Sequence, residues 1–186
     1  KEHLDALELP YYLLVGNHDD GQMMESCFGL QSDFTNGELF YHQQWDGQDV
    51  IVLDTGKYIL SQQQLDWLSQ QLATISDDVI IFMHHPPALL HSQFDDIGLE
   101  NRNAFLRIVS ASPDVKHIFA GHVHRRASGV VAGIPFTTMQ AVSFQAPGPG
   151  THWDWDEFQP MKEPPAYGVI YLDGDDVTVQ SELFCD

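Results

Sequence analysis

The sequence has 186 residues, 43% of them apolar, which is enough for one domain with a hydrophobic core. Its 27 acidic residues against 8 basic ones give a formal charge of −19, which argues against nucleic acids and anionic membranes as partners. No apolar run reaches the roughly 18 residues of a membrane-spanning helix, and two cysteines favour a reducing, cytoplasmic location.

The first sixty residues are predicted to contain the end of a helix, a buried strand, a short helix and two strands of a hairpin: Lys1–Leu9, Tyr11–Val15, Gly21–Cys27, Leu39–Trp45 and Val50–Leu53. Pro10 stops the first helix. The hairpin turns at Asp46-Gly47, a pair typical of tight turns.

The middle of the chain alternates between helix and strand patterns. Ser61 and Gln64 have the spacing of a capping box at the start of an amphipathic helix. The following elements are the strand Val79–Met83, the helix Asn103–Val109 and the strand Val115–Ala120. Helices between strands of this length are typical of an α/β protein.

The last third of the chain has a β pattern. Four strands are expected at Gly129–Ala132, Pro135–Met139, Tyr167–Leu172 and Val177–Leu183. Residues 146–165, rich in proline and tryptophan, are predicted to form an irregular loop that acts as a lid or as packing. We therefore expect a single α/β domain over residues 1–186, with mixed β-sheets flanked by helices.

Three of the predicted strands are followed directly by polar clusters. These clusters are Gly16-Asn17-His18-Asp19, His84-His85-Pro86-Pro87 and Gly121-His122-Val123-His124. Ligands of α/β sheets bind beyond the carboxyl ends of strands, so we expect the three clusters to converge on one crevice. A single histidine after a strand is more often a loop or core residue, but five of them in three such clusters favour a site.

The spacing of His122 and His124 strengthens this hypothesis. In an extended segment, side chains two residues apart point to the same side, so both imidazoles would face one cavity. Imidazole is a ligand for Zn, Fe, Co or Mn, and the Asn17 amide oxygen is a weaker one. The cluster therefore predicts a hydrolytic metal centre.

The same motifs, together with residues 94–101, resemble those of the calcineurin-like metallophosphoesterases. The resemblance is closest to the class III cyclic nucleotide phosphodiesterase branch and its glycerophosphodiesterase relatives. It implies a four-layer sandwich fold and two divalent metal ions, Mn, Fe, Zn or Co. It also implies that Asn17, His84 and His122 ligate one metal and that His124 ligates the other.

By the same resemblance, His18 is the catalytic residue, a proton donor or charge stabiliser beside the phosphate. Asn17, His18 and His85 would contact the substrate, with a place behind the metal ligands as the alternative for His85. A hydroxide shared by the two metals would attack phosphorus. The implied activity is hydrolysis of cyclic nucleotides or other small phosphodiesters.

Two other functions and one partner stay open at this point. The protein could be a phosphomonoesterase of the same superfamily, or a non-catalytic relative that binds a metal or a nucleotide. The predicted hairpin at Gly129–Met139 leaves a homo-oligomer open. The expected partner is a small phosphoester substrate.

The sequence departs from the family pattern at its start. Family members carry an Asp-x-His pair and a Gly-Asp-x-x-Asp segment before the Gly-Asn-His-Asp motif, and the fifteen residues before Gly16 contain neither. We therefore expect the chain to be a C-terminal portion of a longer catalytic domain, without its first strands. Such a portion is expected to bind metal weakly and to hydrolyse little by itself.

Overall fold

The computed structural model describes residues 1–29, 37–148, 154–174 and 176–184. Its helices are α1 (Glu2–Asp5), α2 (Gly21–Phe28), α3 (Gln62–Thr74) and α4 (Arg102–Val109). Its strands are β1 (Tyr41–Trp45), β2 (Gln48–Val52), β3 (Val79–Met83), β4 (Val115–Ala120), β5 (Ala127–Val131), β6 (Ile134–Thr138), β7 (Ala166–Asp173) and β8 (Asp176–Leu183). Short 3₁₀ turns cover Gln93–Ile97 and Trp155–Glu157.

Six of these strands form one mixed sheet in the order β1-β2-β3-β4-β6-β5. The pairs β2-β3, β3-β4 and β4-β6 are parallel, whereas β1 and β5 run antiparallel to their neighbours. The strands β7 and β8 form a separate antiparallel pair. The predicted α/β class, with a mixed sheet and helices, is confirmed.

The two hairpins at the ends of the large sheet have tight turns. Asp46 and Gly47 adopt φ angles of 50° and 89°, and Ala132 and Gly133 adopt 51° and 86°. Two successive residues with positive φ make a type I′ turn, whose twist matches that of the strands it joins. The sequence predicted the first turn at Asp46-Gly47 and a hairpin around Gly133, although Ala132 was expected to belong to the strand and lies in the turn.

The helices α3 and α4 cover one face of the sheet and complete its hydrophobic core. The sheet and the helices both contribute apolar side chains to this core, including Ile51, Ile81, Ile118, Leu68, Phe105 and Val109. The hydroxyl of Ser61 accepts a hydrogen bond from the Gln64 amide and so caps α3. The second half of the predicted capping box is not made, because the buried Gln64 side chain bonds the backbone of Asp54 instead.

The opposite face of the sheet carries a row of aromatic rings. Tyr12 stacks on Trp45 at 4.5 Å between ring centroids, and Phe82 stacks on Phe119 at 5.2 Å. Trp45 also lies 5.6 Å from Phe82 and so connects the two pairs. The rings line a largely apolar cavity of about 320 Å³.

The predicted strand Tyr11–Val15 is wrong. This segment lies beside the aromatic row and does not join a sheet in the described part of the chain. A side chain takes the place of a ladder partner, since the Tyr41 hydroxyl donates to the Leu13 carbonyl at 2.8 Å. An apolar run of this length predicts burial, but it does not specify a hydrogen-bonding partner.

The first helix and the predicted loop differ from the predictions in detail. The first helix comprises only Glu2–Asp5. Within the predicted loop 146–165, residues 149–153 lie outside the described part, and Trp155–Glu157 form a short 3₁₀ turn. Among the described residues, no helix combines the length and the apolar character needed to cross a membrane.

Candidate functional site

Three histidines meet where β3 and β4 end. His84 and His85 follow β3 directly, and His122 lies two residues beyond β4. Because these strands are parallel neighbours, their carboxyl ends lie at the same edge of the sheet. The ring centroid of His122 lies 4.3 Å from that of His85 and 5.1 Å from that of His84.

The nitrogen atoms of this trio are close enough to share an ion. One potential ligand atom from each of His84, His85 and His122 lies within 4.8 Å of the other two. His85 is completely buried, and His122 is 7% exposed. Their Nε2 atoms are buried without a hydrogen-bond partner among the described residues. Unpaired nitrogen lone pairs in such a place fit a metal ion, which would satisfy them.

The other ring nitrogens of the site are held by oxygen acceptors. His85 Nδ1 lies 3.0 Å from the Thr55 hydroxyl, and His124 Nδ1 donates to the Phe144 carbonyl at 3.0 Å. His122 bonds the backbone of Ile97, and its unpaired Nε2 leaves Nδ1 for that bond. This arrangement leaves Nε2 of His85 and of His122 without a partner among the described residues, as is usual for histidines that ligate metals.

Asn17 is attached to the same cluster through His84. The Asn17 Oδ1 atom lies 2.8 Å from His84 Nε2, and its Nδ2 atom donates to the Tyr58 hydroxyl at 3.0 Å. Neighbouring ligands of an ion bound at about 2.1 Å are themselves about 3.0 Å apart in an octahedral site and about 3.4 Å apart in a tetrahedral one. The amide oxygen and the imidazole nitrogen are therefore close enough to bind the same ion.

Burial keeps these imidazoles neutral. Desolvation lowers the pKa of His84 and His85 to about 3, and that of His122 to about 4. Repulsion between neighbouring histidines is a smaller contribution to these lowered pKa values. The pKa of His124 is also lowered, mainly by burial. Neutral imidazole is the form that binds metals, so no proton has to be displaced from the site near neutral pH.

The backbone of the Gly121-His122-Val123-His124 segment is not extended, contrary to the prediction. His122 and His124 have φ angles of 66° and 49°, in the left-handed region. The Val123 amide donates to the Gly121 carbonyl at 2.7 Å and closes a tight turn. Non-glycine residues in this region are strained, and such strain clusters at functional sites. The two imidazoles are therefore presented by a turn and not by a strand.

The structure places the remaining predicted residues around the trio. His18 is exposed, and it interacts electrostatically with His84, His122 and His124. His124 is not part of the trio and packs its ring 4.4 Å from Phe144. His85, predicted to contact the substrate, is fully buried, which favours a place within or behind the cluster.

Sequence reasoning missed several residues that surround the site. The Tyr58 ring is tilted against that of His85, with 4.7 Å between centroids, and the Phe94 ring lies 5.7 Å from those of His122 and Trp155. Thr55 accepts a hydrogen bond from the His85 amide as well as contacting its ring. One signal was available for Thr55, because it lies just beyond β2, a parallel neighbour of β3.

Comparisons with known proteins identify related sequences. The family profile described as "Calcineurin-like phosphoesterase" matches residues 1–126. A protein from Fibrobacter succinogenes, named as a probable cyclic nucleotide phosphodiesterase, is 35% identical over 119 residues. A protein of Synechococcus with a similar name is 30% identical over 171 residues.

The fold is also similar to that of a solved structure. It matches a dimetal phosphatase from Danio rerio with a TM-score of 0.66 and 18% identity, over 99% of this chain and 75% of that one.

The two sequence relatives are longer than this chain. The Fibrobacter match covers 63% of this chain and 46% of the relative, and the Synechococcus match covers 86% of this chain and 64% of the relative. The chain thus spans about half to two thirds of the length of these curated relatives.

Proposed function

Because the chain belongs to the calcineurin-like phosphoesterase family, we propose that the protein hydrolyses phosphoesters with the help of divalent metal ions. We propose cyclic nucleotides and other small phosphodiesters as its substrates. The names of the Fibrobacter and Synechococcus relatives support this choice. A cytoplasmic location is favoured by the low cysteine count, and a small phosphoester is the partner we expect.

The observation that carries the proposal is the cluster of unpaired imidazole nitrogens. His85 Nε2 and His122 Nε2 are buried without partners among the described residues, within reach of His84. Leaving a polar atom buried and unpaired costs about 1–3 kcal/mol. Two such atoms side by side support a site that is completed by an ion.

We assign the metal ligands from the contacts of this cluster and, for His124, which lies outside the trio, from its motif alone. Asn17, His84 and His122 would hold one ion, and His124 would contribute to a second. His85 has its free nitrogen beside those of His84 and His122, so we add it to the first group. Bound divalent ions would neutralise charge on the phosphoryl oxygens and supply the nucleophile at neutral pH.

The chain's own residues would bind and protonate the substrate. His18 is exposed, and its charge acts on His84, His122 and His124, which supports a place beside the phosphate. From there it can hold a proton for the departing alkoxide. Asn17 offers its amide to the same region. The strong negative charge of the chain makes a bound cation useful for attracting an anionic substrate.

A substrate panel tests the proposal. The full gene product is assayed with cAMP, bis-p-nitrophenyl phosphate and p-nitrophenyl phosphate in the presence of Mn²⁺. We expect turnover of the two diesters, loss of that turnover with EDTA, and its loss in H84A. Preference for the monoester would move the protein to the phosphatase side of the family. Metal binding without any turnover would leave the non-catalytic alternative.

A further inference from the structure

Tyr58 is a residue that neither the motifs nor the comparisons bring into the site. It lies on the loop between β2 and α3, four residues before the start of α3. Its hydroxyl oxygen accepts a hydrogen bond of 3.0 Å from the Asn17 amide nitrogen. We propose that Tyr58 is a positioning residue that holds the Asn17 carboxamide with its oxygen towards the metal site.

The two ends of the Asn17 carboxamide differ only in hydrogen-bonding character. The oxygen can ligate a metal and the NH₂ group cannot, yet the two have nearly the same shape. In the structure, the NH₂ end donates to the Tyr58 hydroxyl, and the oxygen lies 2.8 Å from His84 Nε2. Without the phenol oxygen, the NH₂ end loses its acceptor, and the carboxamide is held less firmly in the orientation that turns its oxygen towards the site.

The backbone holds Tyr58 rigidly in this position. Its amide donates to the Thr55 carbonyl at 2.8 Å, and its carbonyl accepts from the Glu100 amide at 2.8 Å. Its φ angle is 65°, in the left-handed region, which is unfavourable for a tyrosine. A residue with a bulky side chain persists there only when its surroundings impose the conformation.

The ring of Tyr58 packs beside the same cluster. Its centroid lies 4.7 Å from that of His85 and 6.3 Å from that of His122. The ring therefore contributes to packing and the hydroxyl to the orientation of Asn17. Replacement by phenylalanine separates the two contributions, because it keeps the ring and removes the oxygen.

The inference rests on the proposed function, because it requires Asn17 to ligate a metal. Mutation of a residue that hydrogen-bonds and orients a metal ligand typically lowers metal affinity by about 10- to 100-fold. We therefore expect Y58F to bind Zn²⁺ about tenfold more weakly than wild type in calorimetric titrations of the full chain. The d–d absorption of bound Co²⁺ is expected to change at the same time. The melting temperature of the metal-free protein should stay within a few degrees of wild type.

A matched control is Y41F, which removes a tyrosine hydroxyl that donates to the Leu13 carbonyl and not to Asn17. We expect wild-type metal affinity for Y41F. A double-mutant cycle with N17A tests whether Tyr58 acts on the metal site through Asn17. In the N17A background, Y58F is expected to cause no further loss of Zn²⁺ affinity.

In N17D, the two carboxylate oxygens are equivalent, so Y58F is expected to have little effect in that background as well. Equal Zn²⁺ affinity of wild type and Y58F would overturn the inference alone. So would a tenfold loss that persists in the N17A background, since the tyrosine would then act through its packing. Absence of any metal binding by the wild-type chain would overturn the proposed metal site, and the role of Tyr58 with it.

Discussion

The burial of His85 predicts that the metal-free protein loses stability in mild acid. Desolvation lowers the pKa of His85 to about 3 in the folded chain, from an ordinary value of 6.5. Below pH 6.5 the unfolded chain therefore binds a proton that the folded chain does not, and stability falls as the pH falls towards 3. Each pH unit costs about 1.4 kcal/mol per proton, so lowering the pH from 6.5 to 5 removes at most about 2 kcal/mol.

The variant H85N tests this number. Asparagine retains a polar group near the position of Nδ1, where it can still bond Thr55, but it does not titrate. Urea unfolding is measured for both proteins in EDTA at pH 7 and pH 5. The difference in unfolding free energy between wild type and H85N should change by about 2 kcal/mol between the two pH values. H91N, which removes an exposed histidine, serves as the control. An equal difference at both pH values would refute the reasoning.

Three further predictions concern the surroundings of the site. H18N should lower kcat of the full gene product by about 10²- to 10⁴-fold with unchanged metal affinity, and a loss of affinity would contradict its assignment as a proton donor. G56A should lower the free energy of unfolding by about 1–3 kcal/mol, because a Cβ atom there would lie 2.8 Å from Val15 and 3.0 Å from the Gly16 carbonyl. S61A should cost about 1 kcal/mol in urea unfolding through loss of the α3 cap, and an unchanged midpoint would show that the cap contributes little.

The sheet could be predicted from the sequence because its strands have strong local signals. A continuous apolar run predicted β3, the segment Val115–Ala120 before Gly121 predicted β4, and Asp46-Gly47 predicted the first hairpin. Tyr11–Val15 has the same apolar character and forms no ladder, because its backbone meets a tyrosine hydroxyl and an aromatic row. Periodicity reports burial, whereas strand pairing depends on neighbours that are remote in sequence.

The site was predictable to the extent that its residues follow strands. His84 and His122 were expected together because parallel strands end at one edge, and the structure brings them to 5.1 Å. The conformation of the His122 segment was not predictable, since its left-handed backbone is imposed by the surrounding fold. Tyr58 was missed because its contact with Asn17 joins residues 41 positions apart.

The metal centre is tested most directly by anomalous diffraction from a crystal of the full gene product soaked with Mn²⁺. A manganese peak is expected within bonding distance of His84, His122 and the Asn17 amide oxygen. The same ion should be absent from crystals of H84A. A manganese ion bound elsewhere, or a wild-type site that stays empty while the diester is hydrolysed, would contradict the assignment of this cluster as the metal centre.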